Sequence, residues 1–399
     1  MRATHVVLVL ACSVLYLVLV LCGGRSSMNE GLGPDGPVYS AMVINHDMRA
    51  GSAPDKLSPA FPLAAAIAYA IAGNARISFL VVNVIAFGVL VWAMCWTLSR
   101  QQAPVSLHVA AALTLVLLGI PTRTTAFAPG QPYLLAVAAI SLAVAAADRS
   151  VGWVAAVLQI AGVAASPAGI IAPLFGIWRH WRRERIAVIA AVFSPALAVW
   201  VLVQYWARGG LSGLVDLVRV SRVRADAAFW AESVFILFGV YFLVTVLGGF
   251  TLLVASSPRW LRSVVSRQPE LLALLIPLVP FIATAGLDVP REMVFLLPFS
   301  FAVIAIWGRD HSGSSIVVPL MLVTALTVLT QHPWARLNDV NYFVDWFPYS
   351  VYGRRVDVAD AGFDTTWRLR IFIAAAGLAA CAMWWRSMRR APAGNSEAR

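Results

Sequence analysis

A carboxylate that could serve as a general base lies in the stretch GLGPDGPVYSAMVINHDM, residues 31–48. Asp35 stands between Pro34 and Gly36, in a turn that is followed by the apolar segment VYSAMVI. The turn residues fix the backbone, and the apolar segment predicts a helix lying along a bilayer surface. Partial burial at the water–lipid boundary raises the pKa of a carboxyl group, which suits a base acting on a lipid-linked substrate. The spacing alone favours the simpler interpretation, a turn-forming aspartate without chemistry.

The same loop contains other polar residues that could assist such a site. Glu30 and Asp47 are secondary candidates, although most loop carboxylates are simply solvated. His46 precedes Asp47, but a single His-Asp pair is a weak metal signal, and no other ligand set has recognisable spacing. The sequence therefore predicts neither a metal ion nor another cofactor.

The stretch TRTTAFAPGQPYLL, residues 122–135, precedes another apolar segment. Its Gly130 and Gln131 could bring a backbone and an amide close to a ligand at the membrane face. The alternative is an ordinary Pro-Gly turn before a helix, with Gln131 as the first polar residue of that helix. The stretch by itself does not separate these two interpretations.

A turn between two apolar segments, GLDVPREMVFLLPFSF at 286–301, contains the third candidate, Arg291. An arginine at the membrane face can bind a phosphate through paired hydrogen bonds. Pairing of Arg291 with its close neighbours Asp288 or Glu292 is an equally good explanation, since either carboxylate is near enough in sequence.

Composition determines which elements must position these residues. The chain is 60% hydrophobic, and only 12% of its 399 residues are charged. A crossing of the bilayer core takes roughly 20 apolar residues, and runs close to that length recur along the chain. The sequence therefore predicts an all-α, polytopic membrane protein with about twelve transmembrane helices. Their expected positions are residues 5–22, 77–98, 105–120, 131–147, 151–165, 167–178, 186–205, 233–255, 270–286, 293–307, 315–330 and 370–385.

Basic loops predict the orientation of these spans. Segments 179–185, 256–268 and 386–399 are rich in arginine, and the positive-inside rule places them on the cytoplasmic side. Both termini are then cytoplasmic, and most of the net charge of +11 falls on that side. The charge therefore reflects membrane topology, and no nucleic-acid partner is predicted. The long external loops are 23–59, 206–232 and 331–369.

Two segments allow alternative topologies. In one version residues 59–73 are interfacial or re-entrant, and residues 151–178 form a hairpin of two short helices that breaks at Ser166-Pro167. In the other version the first segment spans the membrane and the second is one long kinked helix. The 331–369 loop is external in both, and its many Trp and Tyr residues predict either a membrane-interface belt or an acceptor site for a sugar.

Taken in order, these stretches resemble the integral-membrane C-type glycosyltransferases that use polyprenyl-phosphate sugars. The nearest group is the bacterial polyprenyl-phosphate-mannose-dependent α-mannosyltransferases, which have a D-x-x-V-Y motif in the first external loop. A Pro-rich apolar segment, a Gly-Gln before a span, a short hairpin and a basic loop follow. The resemblance covers residues 1 to 200 or so, and the matching positions are Asp35, Val38, Tyr39, 58–73, Gly130, Gln131, 151–178 and 179–185.

The resemblance implies a single polytopic domain with the C-type fold, a large first external loop carrying interfacial helices, and Asp35 as the catalytic base. It implies an inverting transfer of a sugar, mannose in that group, from a polyprenyl-phosphate donor to a lipid-linked or cell-envelope acceptor. The reaction would occur at the external face of a bacterial inner membrane, in contact with membrane lipids. Tyr39 and Gln131 are further site candidates, and the hairpin topology is implied because those enzymes keep the Gly-Gln loop outside.

One position departs from the resemblance. Related sequences often have Lys-Pro at the hairpin tip, where this chain has Ser166-Pro167. If that lysine helps to hold the donor phosphate, another external cation must replace it, and Arg291 and Arg123 are the candidates. Two other functions stay open, a transporter or flippase for a lipid-linked glycan and a non-catalytic protein of the same fold. A transporter would need ionisable residues at mid-membrane, whereas the polar residues here gather in external loops.

Overall fold

The computed structural model of the chain is helical, with no strand among the residues that it describes. The described residues are 3–22, 32, 36–47, 58–118, 125–126, 128–149, 151–181, 184–207, 209–210, 258–277 and 293–310. Their α-helices, in chain order, are α1 (Ala3–Cys22), α2 (Gly36–Ile44), α3 (Ala60–Ala72), α4 (Ala75–Arg100), α5 (Val105–Leu118), α6 (Tyr133–Arg149), α7 (Trp153–Ala165), α8 (Ile171–His180), α9 (Ile186–Ala207), α10 (Pro258–Arg267) and α11 (Leu297–Asp310). Short 3-10 helices cover Pro167–Ile170, Pro269–Leu274 and Met293–Leu296.

Three of these helices, α1, α4 and α9, are long and apolar enough to cross a membrane. The expected spans 5–22, 77–98 and 186–205 agree with them to within two residues at each end. The Asp, Glu, Lys and Arg residues of α4 stand only near its two ends, and α9 contains none. The expected spans 233–255, 315–330 and 370–385 lie outside the described residues, so the count of about twelve spans stays a prediction.

The 26 residues of α4 run through the centre of the described bundle. On one side α1 packs against α4 through Tyr16, whose ring stacks on Phe87 with the centroids 5.1 Å apart. On another side α4 meets α6, whose buried positions are mostly alanine. Small side chains let helix backbones approach closely, which strengthens dispersion contacts where lipid surrounds the helices. The neighbouring helices are therefore positioned by their packing against α4.

The chain reverses direction at Ser166, between α7 and α8. Ser166 has an extended backbone, and its hydroxyl accepts a hydrogen bond of 3.2 Å from the N–H two residues later, which caps the 3-10 helix. Gly169 then lies so close to Gly162 that a β-carbon would overlap the Gly162 carbonyl. α8 returns along α6, where His180 Nε2 lies 2.6 Å from Ala147 O. The predicted break at Ser166 is confirmed, and the segment is a hairpin rather than one kinked helix.

Two other segments are shorter or less regular than a full span. α3 has 13 residues, which makes it about 20 Å long and too short to cross a hydrocarbon core of about 30 Å. Of the span expected at 270–286, residues 270–277 are described, and they begin within a 3-10 helix at Pro269–Leu274, while the remainder stays a prediction. Pro269 begins that helix, and Arg179 of α8 binds Glu270, which fixes the 3-10 helix to α8.

Charged side chains gather at one end of the described bundle, which we call the basic end. Asp148 of α6 binds Arg100 of α4 (Nε to Oδ2, 2.6 Å) and Arg179 of α8 (Nε to Oδ1, 3.1 Å), and Arg179 also binds Glu270. The side chains of Asp148 and Arg179 are only 18% and 14% exposed, so each charge depends on its partners. This ion chain joins α4, α6, α8 and the 3-10 helix at 269–274. Arginines of the basic end include Arg100, Arg149, Arg179, Arg185, Arg267 and Arg309.

Asp310, another carboxylate of the basic end, is the last residue of α11. Trp260 Nε1 donates a hydrogen bond to Asp310 Oδ2 at 3.1 Å, and Arg309 Nε donates one to Oδ1 at 3.0 Å. Arg267 NH2 lies 3.4 Å from Oδ2. Burial alone would raise the pKa of Asp310, but these hydrogen bonds and positive charges lower it below its usual range. The carboxylate thereby fixes α10 to the end of α11.

We expect Asp148→Ala to destabilise the protein, because Arg100 and Arg179 lose the carboxylate that they share. The loss should be about 1–3 kcal/mol, measured as a lower thermal unfolding midpoint in detergent. Glu184→Gln, which changes an exposed carboxylate at the same end, is the matched control. An unchanged midpoint for Asp148→Ala would contradict a stabilising role for the ion chain.

The lowered pKa of Asp310 predicts a pH-dependent contribution to stability. A carboxylate whose pKa is lower in the folded than in the unfolded protein stabilises the fold above the unfolded pKa, and this stabilisation is lost as the pH falls through the folded pKa. Wild type should therefore unfold at a higher temperature than Asp310→Asn near pH 7, and the difference should shrink steadily as the pH falls below about 4 toward the lower folded pKa. A difference that stays constant over this range would rule out the ionised carboxylate as its source.

Candidate functional site

The end of the bundle opposite to the basic end brings two candidate stretches into backbone contact. Gly130 N donates a hydrogen bond to Leu32 O at 3.0 Å. A β-carbon at position 130 would lie 2.7 Å from Gly36 Cα and 2.8 Å from Leu32 O, closer than such atoms can approach. Residue 130 must therefore be glycine for this contact to form. We call this region the Gly130 end.

The predicted base, Asp35, lies outside the described residues, as do Glu30, Arg123 and Arg291. The residue joined to Asp35 by a peptide bond, Gly36, is described and is the first residue of α2. Gly36 is also the residue whose Cα lies against Gly130. The contact therefore links the two sequence motifs at the position that follows the predicted base.

Tyr39 lies one turn into α2 and is buried, with 3% of its surface exposed. Its ring meets Phe61 of α3 edge-on, with the centroids 5.3 Å apart and an interplanar angle of 88°. Edge-on aromatic pairs add to the free energy gained from burial alone. Tyr39 thus packs α2 onto α3 within an apolar cluster that also contains Leu32, Met42, Val43, Ala65, Phe79 and Val82.

Asp47 is exposed and follows the end of α2. The nine residues of α2 extend about 13 Å, so the helix separates Asp47 from Gly36 by roughly that distance. Between them His46 has a left-handed backbone, with φ of 52°. Asp35 and Asp47 therefore flank α2 in the sequence. The end of α2 that contacts Gly130 is the end that begins at Gly36, next to Asp35.

Buried polar contacts hold the segment that contains Gly130 and Gln131. Asn83 of α4 donates from Nδ2 to Pro129 O at 3.0 Å, and Tyr16 of α1 shares a hydrogen bond of 3.0 Å with Thr125. Gln131 is completely buried. Asn83 was not a candidate from the sequence, although a single amide within an apolar span is a signal for an inward-facing polar role.

Arg76 adds a cation near this segment. It is seven residues before Asn83 in α4, which places the two residues on the same face of the helix, about 10 Å apart along the axis. That face is the one from which Asn83 reaches Pro129. The topology with the hairpin already assigns Arg76 to the external side, so the sequence contained the signal for this candidate.

The described residues of the Gly130 end thus offer a close backbone approach, buried amides and a nearby arginine. No three His, Cys, Asp or Glu residues of the described ranges lie together in a way that could hold a metal ion. No family model, curated protein or solved structure matches the chain. A functional assignment therefore rests on the residues and on their geometry.

We expect Gly130→Ala to lower stability by about 1–3 kcal/mol, because the added β-carbon would press on backbone atoms that cannot rotate away. The measurement is the thermal unfolding midpoint in detergent. Gly162→Ala is the matched control, since its β-carbon would meet Ala143 Cβ at an ordinary 3.5 Å. A Gly130→Ala midpoint as high as that of the control would contradict the close approach.

Proposed function

We propose that the protein is an inverting glycosyltransferase that moves a sugar, mannose in the nearest resembling group, from a polyprenyl-phosphate donor to a lipid-linked or cell-envelope acceptor. The reaction takes place at the Gly130 end, which is the external face of a bacterial inner membrane in this proposal. Both termini are cytoplasmic, and the fold is of the C type with about twelve spans.

The observation that carries the proposal is the contact between Gly130 and Gly36. The D-x-x-V-Y motif at 35–39 and the Gly-Gln motif at 130–131 are far apart in the sequence, and each alone has an ordinary explanation as a turn. Their backbones meet, and a glycine is required where they do. A shared site explains why a loop and a helix start should be packed so closely.

The chemistry needs one carboxylate. Asp35 accepts the proton of the acceptor hydroxyl while the hydroxyl oxygen bonds to the anomeric carbon of the donor. The bond from that carbon to the phosphate oxygen breaks in the same step, and the polyprenyl phosphate leaves as an anion. Attack opposite to the leaving group inverts the anomeric centre. A phosphate leaves without protonation, so the second carboxylic acid that a glycosidase uses is not needed here.

The negative charge of the leaving phosphate calls for a cation. Arg291 and Arg123 are the candidates from the sequence, and Arg76 joins them because of its place on the α4 face that carries Asn83. An arginine can hold two phosphate oxygens through parallel hydrogen bonds, which stabilises charge that grows as the sugar leaves. At the hairpin tip the Ser166 hydroxyl accepts a hydrogen bond from the Ala168 N–H, and Trp200 Nε1 donates to Pro167 O at 2.8 Å. These groups are therefore already engaged within the protein.

The lipid tail of the donor needs an apolar surface beside the site, and α3 offers one. Leu63, Ile67 and Ile71 are 55%, 72% and 88% exposed, and their spacing of four residues forms one stripe along the helix. α3 packs against α2 through Phe61 and Tyr39. A prenyl chain lying in the membrane along this stripe would have its phosphate at the level where α2 begins.

The test is sugar transfer from polyprenyl-phosphate-mannose in membranes that contain Asp35→Asn. We expect activity to fall by about a hundredfold or more, because the amide cannot accept the hydroxyl proton. Asp47→Asn is the matched control, since it removes the carboxylate at the other end of α2 and should keep most of the activity. The product linkage, determined by NMR, should be inverted relative to the donor.

Full activity of well-expressed Asp35→Asn would remove the assignment of the base. Arg76→Gln, Arg123→Gln and Arg291→Gln should be compared in the same assay, and the arginine that holds the phosphate should lower kcat when it is replaced. If none of the three variants loses activity, the phosphate is held by other groups.

A further inference from the structure

The basic end contains a cavity that lies far from the proposed sugar-transfer site. This cavity, of about 840 Å³, opens between the ends of α1, α4, α5 and α6. Ser99 on its wall is 23 residues from Arg76 along α4, which corresponds to about 35 Å. The lining residues on which the following argument depends are His5, Trp92, Trp96, Ser99, His108 and Arg149.

Two histidines converge on one hydroxyl in this cavity. Ser99 Oγ lies 3.1 Å from His5 Nε2 and 3.1 Å from His108 Nε2, and it also donates to Cys95 O at 2.7 Å. His108 Nδ1 lies 3.0 Å from Pro104 O. The two imidazole rings are stacked, with the centroids 5.2 Å apart. His108 is thus held at both of its ring nitrogens.

Counting protons fixes the charge that this arrangement requires. A carbonyl oxygen only accepts, so His108 Nδ1 must carry a proton to bond Pro104 O. Ser99 has one proton, which it donates to Cys95 O, so it must accept at both of its other contacts. His108 Nε2 then carries a proton as well. All of these hydrogen bonds form together only when His108 is a cation, and a neutral His108 must give one up.

A permanent cation also faces the same cavity. The guanidinium of Arg149 lies over the ring of Trp96, 5.8 Å from its centroid. No carboxylate is found among the described residues of the cavity wall. Asp148, the neighbour of Arg149, is engaged by Arg100 and Arg179. From the adjoining elements the other ionisable groups are His5 of α1, Cys95 of α4, and the paired Arg309 and Asp310 of α11.

We propose that this cavity binds a phosphate-bearing anion. The Arg149 guanidinium can hold two phosphate oxygens through parallel hydrogen bonds, and a protonated His108 adds positive charge although its two ring nitrogens are engaged within the protein. The indoles of Trp92 and Trp96 add apolar surface for the group that carries the phosphate, and the volume is of the size that small-molecule sites have. The ligand is a phosphodiester lipid headgroup or a soluble phosphate, and this binding is independent of sugar transfer.

The experiment uses the full chain in neutral detergent micelles. Dihexanoyl phosphatidylglycerol and inorganic pyrophosphate are titrated separately, with dihexanoyl phosphatidylcholine as the ligand control, and the rise of the thermal unfolding midpoint gives each dissociation constant. Binding of the glycerol lipid but not of pyrophosphate identifies a headgroup site, and the reverse identifies a soluble phosphate. Both results support the proposal, and binding of neither ligand overturns it.

The variants Arg149→Gln and His108→Asn should each weaken the binding by about tenfold or more. Arg149 is exposed, so its variant is expected to fold even if His108→Asn does not. Arg185→Gln removes an exposed arginine of the same end that is not part of the cavity wall, and it should bind as wild type does. Equal weakening in Arg185→Gln would show a general charge effect and would overturn the site.

A pH series separates a charged His108 from a merely structural one. The charge of a phosphodiester is constant between about pH 6 and about pH 8, whereas an ordinary imidazole titrates near pH 6.5. Binding of dihexanoyl phosphatidylglycerol to wild type should therefore weaken several-fold over this range, and binding to His108→Asn should change much less, with His5 as the imidazole that remains on the wall. A pH-independent wild-type affinity would contradict the role of the histidine cation.

Discussion

Asp148 must be shared by Arg100 and Arg179, because a carboxylate with so little exposure is unstable in an apolar bundle without paired charge. The pairing extends to Glu270, so four elements distant in the sequence end at the same level. Packing against α4 and these ion pairs together fix the directions of α6 and α8. The segments that connect the helices therefore lie either at the basic end or at the Gly130 end. Asn83 and Gln131 at the Gly130 end belong to α4 and to the segment leading into α6, two helices whose far ends this ion chain joins.

The two ends are held in different ways. At the basic end ion pairs join the helix ends, beside hydrogen bonds such as those of Ser99. At the Gly130 end the described contacts are a glycine pressed on backbone, a buried amide bond from Asn83 and an aromatic pair between Tyr39 and Phe61. These neutral, closely packed contacts fix the backbone beside Gly130, where Pro129 O is bound by Asn83 and Gly36 lies against Gly130.

Helix ends could be predicted from the sequence because apolar runs stop where polar residues begin, as α4 does between Asn74 and Arg100. The break at Ser166 was predictable for a similar local reason, since proline follows a residue that caps well. The polar clusters were not predictable. Asn83 meets a carbonyl 46 residues away, and Ser99 meets His5 at a separation of 94 residues. Hydrogen bonds between residues so far apart in the sequence depend on which helices are neighbours in the bundle. The hydrophobic periodicity of the sequence does not show which helices are neighbours.

The pattern of polarity along α4 bears on the choice between catalysis and transport. Its charged residues are confined to Arg76 and Arg100, and Phe87, Leu90 and Val91 between them are fully packed against other helices. A transporter carries its substrate through the middle of the bundle and needs polar or ionisable groups there. In the described helices the cavity at the basic end and the contact at the Gly130 end are separated by this apolar section. The described part of α4 therefore lacks the polar middle section that a transporter needs, which favours the proposed catalysis at one end of the bundle.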